Sequence, residues 1–232
     1  IAAIQQNMRI DSVKGEAKPD APYGEGPKAA LMDALALGER LGFKTGCADN
    51  RVGWVEYGEG EEMVGVLGHL DVVPVGEDGW TYPPFGAEIH DGKLWGRGVL
   101  DDKGPIIGSI FALKAIRDLG LPIDRRIRVL FGTDEETGST CVEHYVEHGY
   151  EMPTIGFTPD GDFPLIFFEK GMTHCTVGGK VTDKGNIEVE YFGGGIAPNV
   201  VTPTCKLIAK GELKVAETDG VTVKYEDGKT VV

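Results

Sequence analysis

The fold is decided by the stretch Met63-Val64-Gly65-Val66-Leu67-Gly68-His69-Leu70-Asp71-Val72-Val73-Pro74. Residues 63–67 form an apolar run that predicts a buried strand. His69 and Asp71 follow two residues apart, so their side chains point the same way at the strand end. In α/β proteins this is where ligands bind. An imidazole is a good metal ligand that a carboxylate can orient, but a His here is more often a hydrogen-bonded turn residue, so the pair alone is weak evidence.

The segments after this strand alternate between helix and strand patterns. Apolar periodicity predicts helices over residues 105–119 and 140–148, and strands over 127–131 and 154–157. An earlier helix is predicted over 28–41, where Pro27 suits the start and Gly42 the end. This alternation predicts an α/β domain with a mainly parallel sheet flanked by helices.

The pattern changes near residue 170. Short alternating segments predict strands over residues 173–181, 187–192, 204–210 and 221–225, separated by turns rich in glycine and charge. We therefore expect one domain over residues 1–170 and the beginning of a second, more β-rich domain over residues 171–232.

The charge of the chain excludes some partners. Its 37 acidic and 23 basic residues give a formal net charge of −14, which argues against nucleic-acid binding. The four cysteines are far apart and form no C-x-x-C pair, which favours a reducing, cytoplasmic environment. No apolar stretch is long enough to predict a membrane span or a membrane partner.

Acidic residues cluster at four places where predicted strands or loops end. The clusters are His69/Asp71, Asp101/Asp102, Glu135/Glu136 and Asp160/Asp162. Carboxylates at neighbouring strand ends repel one another, so such a set is favourable only when cations neutralise it. One His with several carboxylates and no thiolate suits zinc, manganese or cobalt. Two such metals can activate a shared water for amide hydrolysis, with a nearby Glu transferring the proton.

Four motifs carry a family resemblance. In chain order, GHLDVVP (68–74), GRGVLDDKG (96–104), GTDEETG (132–138) and TPDGDFP (158–164) resemble the motifs of the co-catalytic zinc peptidases. That family includes bacterial dipeptidase V (PepV), carnosinases, aminoacylase, glutamate carboxypeptidase and the ArgE/DapE deacylases. The segments DDKGP, DEETG and TPDGDFP are most similar to the PepV-like dipeptidase branch.

The resemblance implies a set of metal ligands. His69, Asp101 and Asp160 resemble the ligands of a first zinc, and Asp101 resembles the carboxylate that bridges to a second. Glu136 resembles a ligand of that second zinc. The family usually has a cis peptide at this position, so one is expected between Asp101 and Asp102.

The resemblance also implies roles beside the metals. Asp71 resembles the carboxylate that orients the His ligand, and Glu135 the general base. Asn199 resembles a substrate-contacting residue at the start of an inserted lid domain, which makes residues 171–232 the beginning of that lid. Asp102 and Asp162 are expected to have supporting structural roles.

The sequence departs from the family pattern at its histidines. The family uses a late His on the second zinc and a lid His for the transition state, but no His follows His174. The resemblance therefore implies a truncated chain that binds one metal well, a second poorly, and has little or no activity. An incomplete sheet would also leave an apolar edge open, which suggests a homo-oligomer.

The expected activity is zinc-dependent hydrolysis of dipeptides or short peptides. Two alternatives stay open: an N-acyl-amino-acid deacylase of the same family, and a non-catalytic metal-binding domain. His144 and His148 match the H-x-x-E-H pattern of other zinc peptidases. Because they lie on a charged predicted helix with no obvious third ligand, a solvent-exposed helix face is the better interpretation.

Overall fold

The computed structural model describes residues 1–76, 79–162, 164–168, 170–171, 173, 175–179, 187–195, 201–202, 204–216 and 218–232. The chain divides into two compact units, Ile1–Phe168 and Glu169–Val232, which are described separately below.

The first unit contains helices α1 to α4 and strands β1 to β7 in its described residues. In chain order they are α1 (Ala2–Met8), α2 (Glu25–Arg40), β1 (Lys44–Ala48), β2 (Val52–Tyr57), β3 (Met63–His69), β4 (Glu88–His90), β5 (Lys93–Trp95), α3 (Lys103–Asp118), β6 (Arg126–Gly132), α4 (Thr140–Glu147) and β7 (Ile155–Phe157). The predicted strand–helix alternation from β3 to β7 is confirmed, with element ends that differ by at most two residues.

Five strands form a central sheet in the order β1-β2-β6-β3-β7. Strand β3 pairs in parallel with both β6 and β7, whereas β2 pairs antiparallel with β1 and β6. The predicted α/β class is confirmed, but the sheet is mixed rather than mainly parallel. The reason is that a short turn joins β1 to β2, and a connection this short permits only an antiparallel pair.

The two faces of the sheet bury different residues, because successive side chains of a strand point to opposite sides. Val129 and Phe131 of β6 pack into a core with α2 and α3, to which α1 adds partly buried residues. Leu130, between them, packs on the other face with Cys141 and Tyr145 of α4. The sheet is therefore covered by three helices on one side and by α4 on the other.

A buried ion pair joins β2 and β6 on the α4 side. Arg128 and Glu56 are cross-strand neighbours, and Arg128 Nε donates to Glu56 Oε2 over 2.8 Å. Arg128 also donates to the hydroxyl of Tyr145 over 2.9 Å. These partners satisfy two charges that would otherwise be costly to bury.

Strand β7 lies at one edge of the sheet and is exposed along its length. The side chains of Ile155 and Phe157 are more than half exposed, and Leu67 of the neighbouring β3 is also exposed. An exposed apolar edge strand of this kind can pair with another strand. Among the described helices, none is both long and apolar enough to cross a membrane.

The second unit contains a four-stranded antiparallel sheet in its described residues, with the order β10-β11-β9-β8. The strands are β8 (Val189–Gly194), β9 (Cys205–Lys210), β10 (Lys224–Glu226) and β11 (Lys229–Val231). The strand predicted over 173–181 is wrong for residues 173 and 175–179, which have no strand partner. Alternation sets which face a side chain takes, but a strand also needs a partner to hydrogen-bond with.

Candidate metal centre

The site lies where the three parallel strands end. Strands β3, β6 and β7 run in the same direction, so their carboxyl ends share one edge of the sheet. His69 is the last residue of β3 and pairs in register with Gly132, the last residue of β6. The segments after β6 and β7 carry Glu135, Glu136 and Asp160 to the same edge. Open α/β sheets bind ligands at this kind of edge.

His69 is fully buried and faces two carboxylates. Its Nε2 lies 2.9 Å from Asp101 Oδ1 and 3.3 Å from Asp160 Oδ2. Its Nδ1 lies 3.0 Å from the backbone oxygen of Asp71. A hydrogen bond at Nδ1 fixes the ring and leaves Nε2 to point at the carboxylates, an arrangement that is typical of His ligands to metals.

The charges at the site are strongly coupled. Burial alone lowers the pKa of His69, but hydrogen bonds with Asp101, Asp160 and Asp71 outweigh it and raise the pKa far above its ordinary value. The hydrogen bond from His69 lowers the pKa of Asp101. The protonated His69 thus neutralises part of the negative charge of these carboxylates. A metal ion that binds His69 must displace its proton.

Asp71 holds the loop that carries the two glutamates. Its Oδ1 accepts a hydrogen bond from the backbone N–H of Glu135 (3.0 Å), and its Oδ2 accepts one from Glu136 (3.1 Å). The Asp71 carboxylate was expected to orient His69, and its Oδ1 lies 3.5 Å from His69 Nδ1. The closer contact to that ring is the Asp71 backbone oxygen, so the side chain mainly fixes the glutamate loop.

The two glutamates share an environment that favours protonation. Burial and neighbouring carboxylates raise the pKa of Glu135, although His69 acts in the opposite direction. Burial, followed by the charge of Asp101, raises the pKa of Glu136 to about 7. Glu135 Oε2 lies 3.8 Å from His69 Nε2. A carboxylate with a raised pKa is suited to accept and return a proton near neutral pH.

The expected cis peptide between Asp101 and Asp102 is confirmed. The two neighbouring carboxylates differ in exposure, since the Asp101 side chain is largely exposed whereas Asp102 is fully buried. Asp102 Oδ2 accepts a hydrogen bond from the backbone N–H of His69 (3.1 Å). Burial raises the pKa of Asp102 to about 7. Asp102 therefore supports the strand beneath the site, while Asp162 is exposed.

The donor set fits a divalent metal. In the part of the chain that the structure describes, three potential metal ligands come together: His69, Asp101 and Asp160. Their ligand atoms all lie within 4.8 Å of one another. One imidazole with two carboxylates matches the ligand preferences of zinc, manganese and cobalt. His144 instead contacts Asp49 over 2.9 Å, and its ring stacks on that of His148. The H-x-x-E-H segment therefore forms a helix surface.

Sequence reasoning missed several residues that shape the site. Buried Asp134 precedes the two glutamates and accepts a hydrogen bond from Lys14 (2.7 Å). Buried Lys103 donates to the backbone oxygens of Asn7 and Ile10, which ties α3 to the end of α1. The pairing of Lys14 with Asp134 spans more than a hundred residues and leaves no local signal. The position of Lys103 directly after Asp101 and Asp102 could have indicated that it supports the site.

The fold and the donor set define an α/β protein with a His–carboxylate cluster, suited to a metal ion, at the ends of parallel strands. The model of peptidase family M20/M25/M40 matches residues 65–230. The chain belongs to this metal-dependent peptidase family.

Relatives and solved structures agree with this family. The chain is 51% identical over 179 residues to "Putative dipeptidase YtjP" of Bacillus subtilis (strain 168), covering 76% of this chain and 38% of that protein. It is 39% identical over 216 residues to a "Putative dipeptidase" of Staphylococcus epidermidis, covering 90% and 45%. The chain thus spans less than half the length of these relatives.

Two crystal structures share the fold. Human carnosine dipeptidase 1 superposes with a TM-score of 0.54 and 27% identity, over 63% of this chain and 34% of that one. The M20 family metallo-carboxypeptidase Sso-CP2 from Sulfolobus solfataricus superposes with a TM-score of 0.52 and 24% identity, over 63% and 33%. The second likeness supports the fold alone.

Proposed function

We propose that this chain carries the metal-binding part of a zinc-dependent dipeptidase that hydrolyses dipeptides or short peptides. The observation that carries the proposal is the buried imidazole of His69, whose Nε2 faces Asp101 and Asp160 at the strand ends. Membership of a peptidase family and the dipeptidase names of the relatives support this substrate class. The segments DDKGP, DEETG and TPDGDFP support the PepV-like branch.

We assign the metal ligands as follows. His69, Asp101 and Asp160 would hold a first metal, and Asp101 and Glu136 would hold a second. Zinc is the first choice, and manganese or cobalt suits the same donors. This chain offers no His after His174 for the second metal. We therefore expect it to bind one metal well, a second poorly, and to hydrolyse peptides slowly or not at all.

The residues around the metals have separate tasks. A bound divalent metal supplies Lewis acidity, which polarises the scissile carbonyl and makes water a stronger nucleophile at neutral pH. Glu135 accepts a proton from the attacking water and returns it to the leaving amine. Asp71 keeps Glu135 and Glu136 in place through their backbone amides. Each task needs a position fixed by the surrounding structure, because proton transfer requires hydrogen-bond distance.

Substrate contacts beyond the metals are proposed for the second unit, which we regard as the beginning of a lid. Asn199, the predicted substrate-binding residue, lies outside the described residues. The free cysteines agree with a cytoplasmic protein, and the open edge at β7 with a homo-oligomer.

The proposal is tested by metal content. Wild type, Asp101→Ala and Asp162→Ala are loaded with zinc, desalted and measured by plasma mass spectrometry. Asp162 is the matched control, since it is an exposed aspartate that we do not assign as a ligand. We expect about one equivalent of zinc in the wild type and the control, and little in Asp101→Ala.

Other outcomes would contradict parts of the proposal. Absence of zinc from the wild type would remove the metal site and favour a domain without this chemistry. About two equivalents would contradict the weak second site. Hydrolysis is then measured with dipeptides and with N-acyl amino acids. High turnover by this chain would contradict the expected low activity, and a preference for N-acyl amino acids would favour the deacylase alternative.

A further inference from the structure

An N-terminal strap, residues 12–23, runs along both sides of the candidate site. On the β3 side, Ser12 Oγ donates to the backbone oxygen of Leu70 over 2.7 Å. The backbone N–H of Val72 donates to the Ser12 backbone oxygen over 3.3 Å, and Val13 forms a parallel bridge with Val72. Leu70 and Val72 flank Asp71, so the strap holds the segment that carries the Asp71 carboxylate.

On its other side the strap contacts the glutamate loop, residues 133–140. Lys14 Nζ donates to Asp134 Oδ1 over 2.7 Å and to Thr137 Oγ1 over 2.9 Å. The Tyr23 hydroxyl lies 2.9 Å from Thr140 Oγ1. These contacts reach the loop immediately before and after Glu135 and Glu136.

Asp134 explains why a cation is needed at this position. Its side chain is fully buried, and it also accepts hydrogen bonds from Thr137 and Thr140. Burial raises its pKa, but the hydrogen bonds from Lys14, Thr137 and Thr140 outweigh burial and leave the pKa below its ordinary value. Asp134 is therefore an ionised buried carboxylate, and Lys14 is its ion-pair partner. Loss of that partner would leave a buried charge without compensation.

We propose that Lys14 is a positioning residue that fixes the Glu135–Glu136 segment from the strap side, as Asp71 does from the β3 side. Two buried carboxylates then hold the loop: Asp71 binds its amides, and Asp134 binds Lys14 and two loop hydroxyls. Lys14 donates its hydrogen bonds to Asp134 and Thr137, on either side of the two glutamates. Its importance for the reaction rests on the proposed function, whereas its effect on the loop does not.

The test compares Lys14→Met, Lys14→Arg and Lys18→Met with wild type. Lys18 is the matched control, since it lies on the same strap but pairs with exposed Glu25. The first measurement is hydrogen exchange of the Glu135 and Glu136 amides in metal-free protein. We expect about tenfold faster exchange in Lys14→Met, near-wild-type exchange in Lys14→Arg, and no change in Lys18→Met.

The second measurement is Co²⁺ affinity, followed by the visible absorption of the bound ion. We expect Lys14→Met to weaken binding of a second Co²⁺ equivalent by about fivefold or more, because Glu136, which we assign to the second metal only, lies on the less well held loop. Binding of the first equivalent to His69, Asp101 and Asp160 should stay near that of the wild type. If Lys14 acted only through its charge, Lys14→Met would bind Co²⁺ more tightly, since removal of a nearby cation strengthens binding of another cation. Tighter Co²⁺ binding in Lys14→Met would therefore overturn the proposal.

The exchange measurement separates this proposal from the proposed function. If the wild type binds no Co²⁺, the proposed function fails, but faster loop exchange in Lys14→Met would still support the role of Lys14. Unchanged loop exchange, an equal change in Lys18→Met, or faster exchange spread over β3 and β6 would overturn it. Urea unfolding of each variant checks global stability, and Lys14→Gln replaces Lys14→Met if that variant does not fold.

Discussion

Gly68 is the position where one added methyl group should disturb both the fold and the metal site. A Cβ at residue 68 would lie 2.0 Å from Asp102 Oδ2 and 2.8 Å from Ile106 Cδ1. Neither neighbour can withdraw easily, because Asp102 and Ile106 are fully buried. Gly68→Ala must therefore move the Asp102 carboxylate away from the backbone N–H of His69, its hydrogen-bond donor.

The expected cost has two parts. Overpacking of a tight core costs about 1–3 kcal/mol. Loss of the hydrogen bond between His69 and Asp102 leaves buried polar atoms without partners, at about 1–3 kcal/mol. We expect Gly68→Ala to lower the free energy of unfolding by about 2–6 kcal/mol, a large share of the ~5–15 kcal/mol that is typical of a folded protein. Zinc affinity should fall by about tenfold or more, because the ligand His69 is displaced.

The assay is urea unfolding with a chelator present, followed by zinc titration of the folded variants. Gly108→Ala is the matched control, since it lies inside α3 and has open space where the Cβ would be. That substitution should stabilise the chain by up to about 1 kcal/mol through helix propensity. If Gly68→Ala unfolds at the same urea concentration as wild type and binds zinc equally well, the close contact with Asp102 does not matter as described.

Three further predictions follow from the same structure. Without metal, the free energy of unfolding should fall as pH rises from about 5 to about 7, because His69 and Glu136 both have raised pKa values and hold protons in the folded state that the unfolded state releases; urea titrations that show stability rising over this range would contradict it. Arg128→Met should cost about 1.5–3 kcal/mol by removing the nearer of two cations from buried Glu56, which keeps Arg126 at 3.4 Å, whereas the double variant Glu56→Leu/Arg128→Met should regain much of that loss, and calorimetry that finds the double variant less stable than Arg128→Met would refute this. Zinc at about 100 times its dissociation constant should stabilise wild type by ~2.7 kcal/mol but not Asp160→Asn, as judged by thermal unfolding; an equal increase in both would exclude Asp160 as a ligand.

The sequence predicts the part of the fold that rests on local patterns. Apolar periodicity located β3, α3, β6 and α4, and the order of these elements brought His69, Glu135 and Asp160 to one edge of a sheet. Because clustered carboxylates repel one another, their position at neighbouring strand ends indicated a bound cation. These inferences needed no knowledge of which side chains are in contact.

Other features could not be predicted, because they depend on pairing between distant segments. Nothing local indicates that β2 joins β6 antiparallel, or that the Asp71 carboxylate accepts the amides of Glu135 and Glu136. Residues 11–27 are rich in Gly, Pro and charge and predict only a loop. Their hydrogen bonds to Leu70 and Asp134 give that loop a defined place. The apolar side chains exposed on β7 likewise depend on which strand ends the sheet.

The position of Asp160 just after the edge strand gives the proposed metal an effect on the chain as a whole. Strand β7 is short and hydrogen-bonded on one side to β3, whose last residue is His69. A cation shared by His69 and Asp160 would act as a removable cross-link between these two strands. Chelation would then free the strand whose apolar residues are exposed, so self-association should increase when metal is withdrawn. The availability of metal would then control self-association of the chain as well as the proposed hydrolysis.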